Sequence, residues 1–191
     1  MLELVRPANE VRVFARTSSN RQAFVDQMKQ SVSGRLVESE SLEAALTDAT
    51  LVTLATKSSE PVFTADHLSR GMHVNSVGPA SRDRSEVDPA IFAMFDRFVC
   101  DSAHLVLDEA GDAYAAVTDH DFDAQRAEDL GDLVSGRAGG RTSSDETTLF
   151  KSVGTGAQDL MVAARLLELA DERGVGNVIG DVNSVKPLPR R

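Results

Sequence analysis

The sequence contains little cysteine, no tryptophan and no long hydrophobic run. Cys100 is the one cysteine among 191 residues, which excludes an internal disulfide and a metal site built from several cysteines. No apolar stretch approaches the roughly 20 residues of a membrane-spanning helix, and the N-terminal residues lack the basic and apolar regions of a signal peptide. We therefore expect a cytoplasmic protein without a membrane partner.

Basic residues are also few. The 20 lysine and arginine residues face 30 aspartate and glutamate residues, so the net charge is -10 and the isoelectric point is near 4.8. Since phosphate backbones are bound by basic surfaces, this balance argues against a nucleic-acid partner. An acidic, lysine-poor chain is typical of a salt-rich, halophile-like cytoplasm, where strong screening tolerates like charges. The alternative is an acidic protein from a GC-rich genome.

Short apolar runs alternate with segments of helical periodicity. Strands are predicted at Val11–Ala15, Leu36–Glu38, Thr50–Thr56, His73–Gly78 and Arg97–Asp101. Helices are predicted from Ser18 to Gly34, at Ala103–Glu109, at Asp123–Ser135 and at Gly156–Arg173 with Gly174 as the stop. Thr147–Val153 fits either a strand or an irregular segment that faces a ligand. The alternation predicts an α/β fold with a doubly wound parallel sheet, and the run TLVTLAT predicts a strand buried on both faces.

Polar residues follow three of these strands, at the edge where α/β proteins bind ligands. Arg16 follows the first strand. In dinucleotide-binding sheets an arginine at the corresponding place pairs with the 2′-phosphate of NADP, although an RTSS turn also fits a simple helix cap. The polar loop after TLVTLAT is a second candidate. Asn75 and Gly78 end the next strand, where they fit either ligand binding or ordinary turn chemistry.

Other motifs carry little chemistry. The glycines and arginines of residues 137–141 lack the Gly-Lys-Ser/Thr of a P-loop. Asp119, Asp121 and Asp123 have the alternating spacing of a calcium loop but not its glycine and distal glutamate, so we interpret them as a solvated acidic face. The four histidines show no ligand spacing, and no serine lies in a nucleophile elbow. No metal site is predicted, and Cys100 is predicted to lie in the core.

Four segments occur in a specific order: VRVFART, TLVTLATKSSEPVF, GMHVNSVGPASRDRSEVDP and GDLVSGRAGGRTSSDETTLFKSVG, with a long helix after them. This order resembles the ornithine cyclodeaminase and mu-crystallin family from roughly Leu4 to Gly174. The resemblance is most specific in HVNSVG, with Glu86 downstream, and in GRAGGRTSSDETTLFKSVG. It implies that residues 1–174 form a partial NAD(P)-binding Rossmann domain with a C-terminal helical return, and that residues 175–191 form a tail.

Members of this family transfer hydride between a nicotinamide cofactor and amino acids or their cyclic imines. They include ornithine cyclodeaminases, alanine dehydrogenases and ketimine reductases. The resemblance implies that this chain is the NAD(P)-binding part of such a protein, with a small amino acid or imine as substrate. The alternative is a non-catalytic nucleotide- or ligand-binding protein, or an inactive fragment.

The resemblance also implies which residues touch the cofactor. Arg16, Thr17 and Asn20 would contact the adenosine 2′-phosphate, which favours NADP over NAD. On the nicotinamide side, the implied residues are Ala55 and Thr56 in the cleft, Val77 near the ring, and Ser152 and Val153 on the opposite side.

Two features depart from the family pattern. Cyclodeaminases carry an acid–base aspartate two residues after the glycine that corresponds to Gly78. This chain has Ala80 there, which cannot transfer a proton. The departure argues against cyclodeaminase activity and leaves reduction or dehydrogenation, and we predict no catalytic residue.

The second departure concerns the start of the Rossmann domain. Nothing before VRVFART matches the family's first strand and its GxGxxA-like turn, which cradles the pyrophosphate, or its substrate and dimerisation domain. In the usual strand order the first strand lies in the middle of the sheet. We therefore expect strands VRVFA and TLVTLAT each to lose a partner. We also expect the chain to be marginally stable alone, to bind cofactor poorly, and to form a homodimer when the N-terminal half is present.

Overall fold

The computed structural model describes residues 6–177 and residue 180. The strands are β1 (Glu10–Val13), β2 (Arg35–Glu38), β3 (Leu51–Leu54), β4 (His73–Ser76), β5 (Arg97–Cys100), β6 (Ala127–Asp129) and β7 (Thr148–Lys151). The α-helices are α1 (Ser18–Met28), α2 (Leu42–Leu46), α3 (Ala103–Glu109), α4 (Gly111–Asp119), α5 (Leu130–Val134) and α6 (Gly156–Arg173). Short 3-10 helices lie at Ala65–His67, Pro89–Met94 and Ala124–Arg126. Most of the predicted tail lies outside the described residues.

The described strands form two parallel sheets, as the α/β prediction requires. β1 pairs with β2, and the other five strands follow the order β3-β4-β7-β5-β6. β1 and β3 belong to different sheets, and no described strand joins them. The expectation that each of these two strands lacks one partner is therefore confirmed for the described part of the chain.

β7 changes the strand order that the sequence suggested. Chain order would place β4 beside β5, but β7 lies between them and pairs with both. Leu149 is the register partner of Val74 on one side and of Phe98 on the other. The segment predicted as either a strand or an irregular region is thus a central strand, in which Leu149 is 1% exposed.

The hydrophobic core lies on one face of the five-stranded sheet. The sheet contributes Val52, Leu54, Val74, Phe98, Cys100 and Leu149, and the 3-10 helix Pro89–Met94, α3 and α4 cover them. Three rings, Phe92, Phe98 and Phe122, make edge-to-face contacts with centroids 5.2 to 5.8 Å apart. Burial of each ring contributes about 1.5–3 kcal/mol. Cys100 is fully buried in this core, as predicted.

β3 is not buried on both faces, contrary to the prediction. Val52 and Leu54 are buried, whereas Thr53 between them is exposed. The reason is that the core helices lie on the side of Val52 and Leu54. The nearly continuous apolar run therefore suggested a strand buried on both faces, but in the described part of the chain Thr53 leaves one face exposed.

The helix predicted over Asp123–Ser135 is wrong. This stretch divides into a 3-10 helix, strand β6 and the short helix α5. Asp123 accepts a hydrogen bond from the N–H of Gln125 at 3.0 Å, and the chain then turns into the sheet, where Ala127 pairs with Phe98. Hydrogen bonding to β5 thus replaces the helical bonds that local periodicity favoured. Helix α4 was not predicted at all.

Residues 1–153 and residues 154–191 form two compact units. The second unit contains α6, whose ends are as predicted. Thr155 and Gln158 form a reciprocal capping box at its start, and Gly174 ends it in the left-handed conformation with φ 62°. Among the described helices, none combines the length and the apolarity that crossing a membrane requires.

A buried ion pair fixes β7 to α4. Nζ of Lys151 lies 2.8 Å from Oδ2 of Asp112, and the two side chains are 1% and 0% exposed. The same ammonium donates to Oγ of Ser76 on β4 at 2.9 Å. Removing two charges from water costs several kcal/mol per ion, so neither group is tolerable here without the other.

Replacing Lys151 with methionine tests this dependence. Lys151→Met leaves Asp112 buried without its cation, so we expect the free energy of unfolding to fall by about 3–5 kcal/mol in urea denaturation. Lys29→Met is the matched control, because Lys29 pairs with Asp26 at the surface, 3.2 Å away, where ion pairs contribute little. Equal, small losses in both variants would contradict a structural role for the buried pair.

Candidate functional site

A cleft of about 480 Å³ opens at the carboxyl ends of β3 and β4. Two loops form it, the β3 loop (residues 55–57) and the β4 loop (residues 77–85). The lining residues are Ala55, Thr56, Lys57, Val77, Gly78, Pro79, Ala80, Ser81 and Arg84. Parallel α/β sheets bind their ligands at this edge.

A second cavity, of about 420 Å³, lies at the opposite edge of the sheet. It is formed by segments that precede β4, β5 and β7, and its lining includes Arg70 and Asp145. These two charges are paired with each other, with Nη2 of Arg70 2.8 Å from Oδ2 of Asp145. Because ligand sites in parallel sheets lie at the carboxyl ends of strands, we assign the candidate site to the first cleft.

A buried carboxylate lies beneath the cleft. Glu86 is fully buried, and its Oε1 accepts a hydrogen bond from the N–H of Thr56 at 2.5 Å. Its Oε2 accepts from the N–H of Gly78 at 3.0 Å and from the hydroxyl of Ser76 at 2.7 Å. The N–H groups of Thr56 and Gly78 thus point into the protein and are not available to a phosphate in the cleft.

The main chain at Glu86 is held in turn by Asp112 on α4. Oδ2 of Asp112 accepts from the N–H groups of Glu86 and Val87 at 3.2 and 3.3 Å. The same oxygen bonds Lys151 of β7. One chain of buried polar contacts therefore links the cleft loops to α4 and to the centre of the sheet.

Close packing at Gly78 leaves no space for a side chain. A Cβ atom there would overlap the carboxylate of Glu86 and lie 2.5 Å from the carbonyl oxygen of Thr56. Gly111, at the start of α4, has the same role below the β4 loop, because a Cβ there would lie 2.5 Å from the carbonyl oxygen of Arg82. Because these two residues have no side chain, the β4 loop lies in direct contact with Glu86 and with the start of α4.

Comparison with known proteins identifies the family. The family model described as "Ornithine cyclodeaminase/mu-crystallin family" matches residues 1–174. The chain belongs to this family.

Two curated relatives illustrate the match. Delta(1)-pyrroline-2-carboxylate reductase of Bacillus cereus is 32% identical over 176 residues, which are 92% of this chain and 54% of the relative. Ketimine reductase mu-crystallin of Rattus norvegicus is 32% identical over 158 residues, 83% of this chain and 46% of the relative. The chain thus spans about half the length of the curated relatives it matches.

A solved structure agrees with the fold. The Delta(1)-pyrroline-2-carboxylate reductase of Thermococcus litoralis, in complex with NADH and L-proline, superposes with a TM-score of 0.83 at 31% sequence identity. The match covers 90% of this chain and 53% of that one. The resemblance inferred from the sequence motifs is confirmed.

Three of the five residues that were expected on the nicotinamide side line the cleft of this chain. Ala55, Thr56 and Val77 all line it, and Val77 is 43% exposed. Ser152 and Val153 are not among its lining residues. They follow β7, where Asp101 at the end of β5 holds them: its Oδ2 accepts from the hydroxyl of Ser152 at 2.7 Å and from the N–H of Val153 at 3.2 Å.

The expected adenosine-side residues lie in the two-stranded sheet. Arg16, Thr17 and Asn20 are exposed where β1 passes into α1, and they do not line the cleft. Thr17 is the N-cap residue, and within the described residues its side chain makes no capping hydrogen bond. The neighbouring Arg21 is engaged elsewhere, with its Nε 3.0 Å from Oε1 of Glu38.

The cleft carries no carboxyl or imidazole group, and its ionisable side chains are Lys57 and Arg84. None of its described lining residues is aspartate, glutamate or histidine. Ala80 is exposed at the place of the cyclodeaminase aspartate. Arg84 supports the loops, since its Nη1 donates to the carbonyl oxygen of Lys57 at 2.6 Å. The site can bind and orient a ligand, but its own side chains offer no carboxyl or imidazole for proton transfer.

Other reactive side chains are occupied structurally. Burial raises the pKa of the Cys100 thiol, which keeps it protonated. Burial lowers the pKa of His73, whose Nδ1 accepts from the hydroxyl of Thr148 at 2.6 Å and whose Nε2–H donates to Oδ1 of Asn75 at 3.1 Å. The side chain of Asn75, a candidate ligand donor in the sequence, donates from Nδ2 to the carbonyl oxygen of Val52 on β3 at 3.5 Å. Within the described residues, no group of histidine, cysteine and carboxylate side chains could hold a metal ion.

Sequence reasoning missed the polar network below the cleft. Glu86 was noted only as part of a motif, and the roles of Asp101, Asp112 and Lys151 were not anticipated. One signal was available: Lys151 ends the apolar run TLF, and a charge in a buried strand requires a partner. The identity of that partner depends on the fold, because Asp112 lies 39 positions away.

Adding a methyl group at Gly78 tests the close packing of the cleft. Gly78→Ala forces Glu86 or the β3 loop to move, and overpacking of this kind costs about 1–3 kcal/mol of unfolding free energy. Gly139→Ala is the control, since a Cβ there meets nothing within 4 Å. Urea denaturation of both variants gives the comparison, and an unaffected Gly78→Ala protein would show that the loops are not tightly packed.

Proposed function

We propose that the chain is the nicotinamide-cofactor-binding part of an oxidoreductase that transfers hydride between NAD(P) and the imine form of an amino acid. The observation that carries the proposal is the cleft at the carboxyl edge of the sheet, where the apolar residues Ala55, Val77 and Ala80 suit the face of a flat ring. The relatives named as reductases of pyrroline-2-carboxylate and ketimines support a cyclic imine carboxylate as the substrate class.

The residues of the cleft fit a nicotinamide better than a phosphate. The N–H groups of Thr56 and Gly78 are committed to Glu86, so they cannot cradle an anion. When bound, the nicotinamide supplies or accepts the hydride. The side chains of Ala55 and Val77 would cover the ring and exclude water from one of its faces. Reduction of an imine also needs a proton at nitrogen. The lining offers no carboxyl or imidazole, and the ammonium of Lys57 is its one side chain able to donate a proton of this kind.

Binding without turnover is the second candidate. Ala80 favours it, because this residue stands at the rim of the cleft where the cyclodeaminases carry a proton-transferring aspartate. The two candidates share a cofactor site and differ only in whether an imine is reduced there.

Cofactor titration followed by turnover distinguishes these functions. The purified chain is titrated with NADH and with NADPH while the cofactor fluorescence is recorded, and we expect saturable but weak binding, because β1 and β3 lack a joining strand in the described part of the chain. Delta(1)-pyrroline-2-carboxylate is then added, and loss of reduced cofactor is followed by absorbance. Turnover supports the oxidoreductase and contradicts the second candidate. A folded chain that binds neither cofactor contradicts both.

We further propose a preference for NADP. Arg16 is exposed at the carboxyl end of β1, and Asn20 lies in the first turn of α1. A guanidinium at this place in a dinucleotide-binding sheet pairs with the 2′-phosphate that distinguishes NADP from NAD. The N-cap residue Thr17, whose side chain makes no capping hydrogen bond among the described residues, adds a hydroxyl at the same place.

Removing the guanidinium tests the cofactor preference. Arg16→Ala should weaken NADPH binding by roughly tenfold or more and leave NADH binding nearly unchanged, since a charge-assisted hydrogen bond to phosphate is lost only with NADPH. Arg35→Ala removes the same charge from the amino end of β2 and is the control. Equal losses for the two cofactors in Arg16→Ala would show that the 2′-phosphate assignment is wrong.

A further inference from the structure

We propose that Glu86 is a positioning residue that sets the spacing between the β3 loop and the β4 loop on the nicotinamide side of the cleft. The expected effect on cofactor affinity rests on the proposed function. The expected effect on the two loops follows from the geometry of the hydrogen bonds alone. One carboxylate joins the two loops, with Oε1 bonded to the N–H of Thr56 and Oε2 bonded to the N–H of Gly78.

All three groups that contact the side chain of Glu86 are hydrogen-bond donors, so both of its oxygens must accept. Thr56 and Gly78 present main-chain N–H groups, which can only donate. Ser76 uses its hydroxyl hydrogen toward Oε2 of Glu86, because its oxygen already accepts from Nζ of Lys151. A carboxylate satisfies all three donors at once. An amide of the same shape would turn an NH₂ group toward one of them.

The space around the carboxylate leaves no alternative position for it. Glu86 is fully buried, and the absence of a side chain at Gly78 lets the β4 loop rest directly on the carboxylate. The distance between the loops is therefore set by the width of one carboxylate. Thr56 and Gly78 line the cleft themselves, so a shift of either N–H moves the wall of the site.

The hydrogen bonds around Glu86 continue to the neighbour of Ser152, a residue expected on the opposite side of the nicotinamide. The N–H of Glu86 donates to Asp112, which pairs with Lys151, the residue immediately before Ser152. The N–H of Ser152 also donates to the carbonyl oxygen of Ser76 at 3.1 Å. Loss of the Glu86 contacts is thus expected to disturb the nicotinamide side, whereas the adenosine-side residues lie in a separate sheet.

Two variants of Glu86 test the proposal in the full 191-residue chain. Glu86→Gln retains the length of the side chain and loses one acceptor, and Glu86→Asp retains the charge but withdraws it by one methylene. Glu109→Gln, at an exposed position, is the control for the lost charge. The first measurement is amide hydrogen exchange at Thr56 and Gly78 without cofactor, with Val99 of β5 as an internal reference. The second is the affinity for NADH compared with ADP-ribose, which lacks the nicotinamide.

In Glu86→Gln we expect exchange at Thr56 or Gly78 to accelerate by about tenfold or more, while Val99 keeps its rate. Affinity for NADH should fall by a similar factor, and affinity for ADP-ribose should not change. If Glu86→Gln does not fold, Glu86→Asp is measured in the same way. Unchanged exchange at both amides, or equal acceleration at Val99, would overturn the positioning role. If the unaltered chain binds no NADH, the proposed function fails for this chain, and the exchange rates alone decide the role of Glu86.

Discussion

Lys151 and Asp112 carry opposite charges 2.8 Å apart in an interior where water cannot reach them. Each charge is tolerable only beside the other, so β7 and α4 must keep the distance that the pair sets. Ser76 and Glu86 extend the constraint, because they accept or donate within the same set of buried contacts. The carboxyl ends of β3, β4 and β7 are held together by this network, and the candidate site lies directly above it.

The network explains why two main-chain N–H groups are unavailable to a ligand at the edge of the sheet where α/β proteins bind one. Glu86 draws the N–H groups of Thr56 and Gly78 inward, so that small side chains such as Ala55 and Val77 face the cleft. The polar atoms are satisfied below the surface, and the surface itself is suited to a flat ring. Stability of the fold and shape of the site thus depend on the same few contacts.

The two sheets differ in how much hydrophobic core packs against them. The five-stranded sheet has a core of aromatic and aliphatic side chains on one face, in which Phe63, Phe92 and Phe98 are almost completely buried. The two-stranded sheet contributes no residue to that core. The described pairings join β1 only to β2 and β3 only to β4. The residues proposed for the adenosine side therefore lie in the two-stranded sheet, outside this core, and the cleft proposed for the nicotinamide lies on the five-stranded sheet.

The sequence by itself determined the family, the alternation of strands and helices, and the limits of α6, because motifs, capping residues and periodicity are local properties. The family resemblance also implied Ala55, Thr56 and Val77, and all three line the cleft. Tertiary structure decided the position of β7 between β4 and β5, the strand β6 inside a helical pattern, and the partners of Glu86. These features depend largely on contacts between residues far apart in the chain, such as Thr56 with Glu86 and Ser76 with Lys151. Periodicity reports which face of an element is apolar, but only the assembled sheet brings distant polar groups into one buried network.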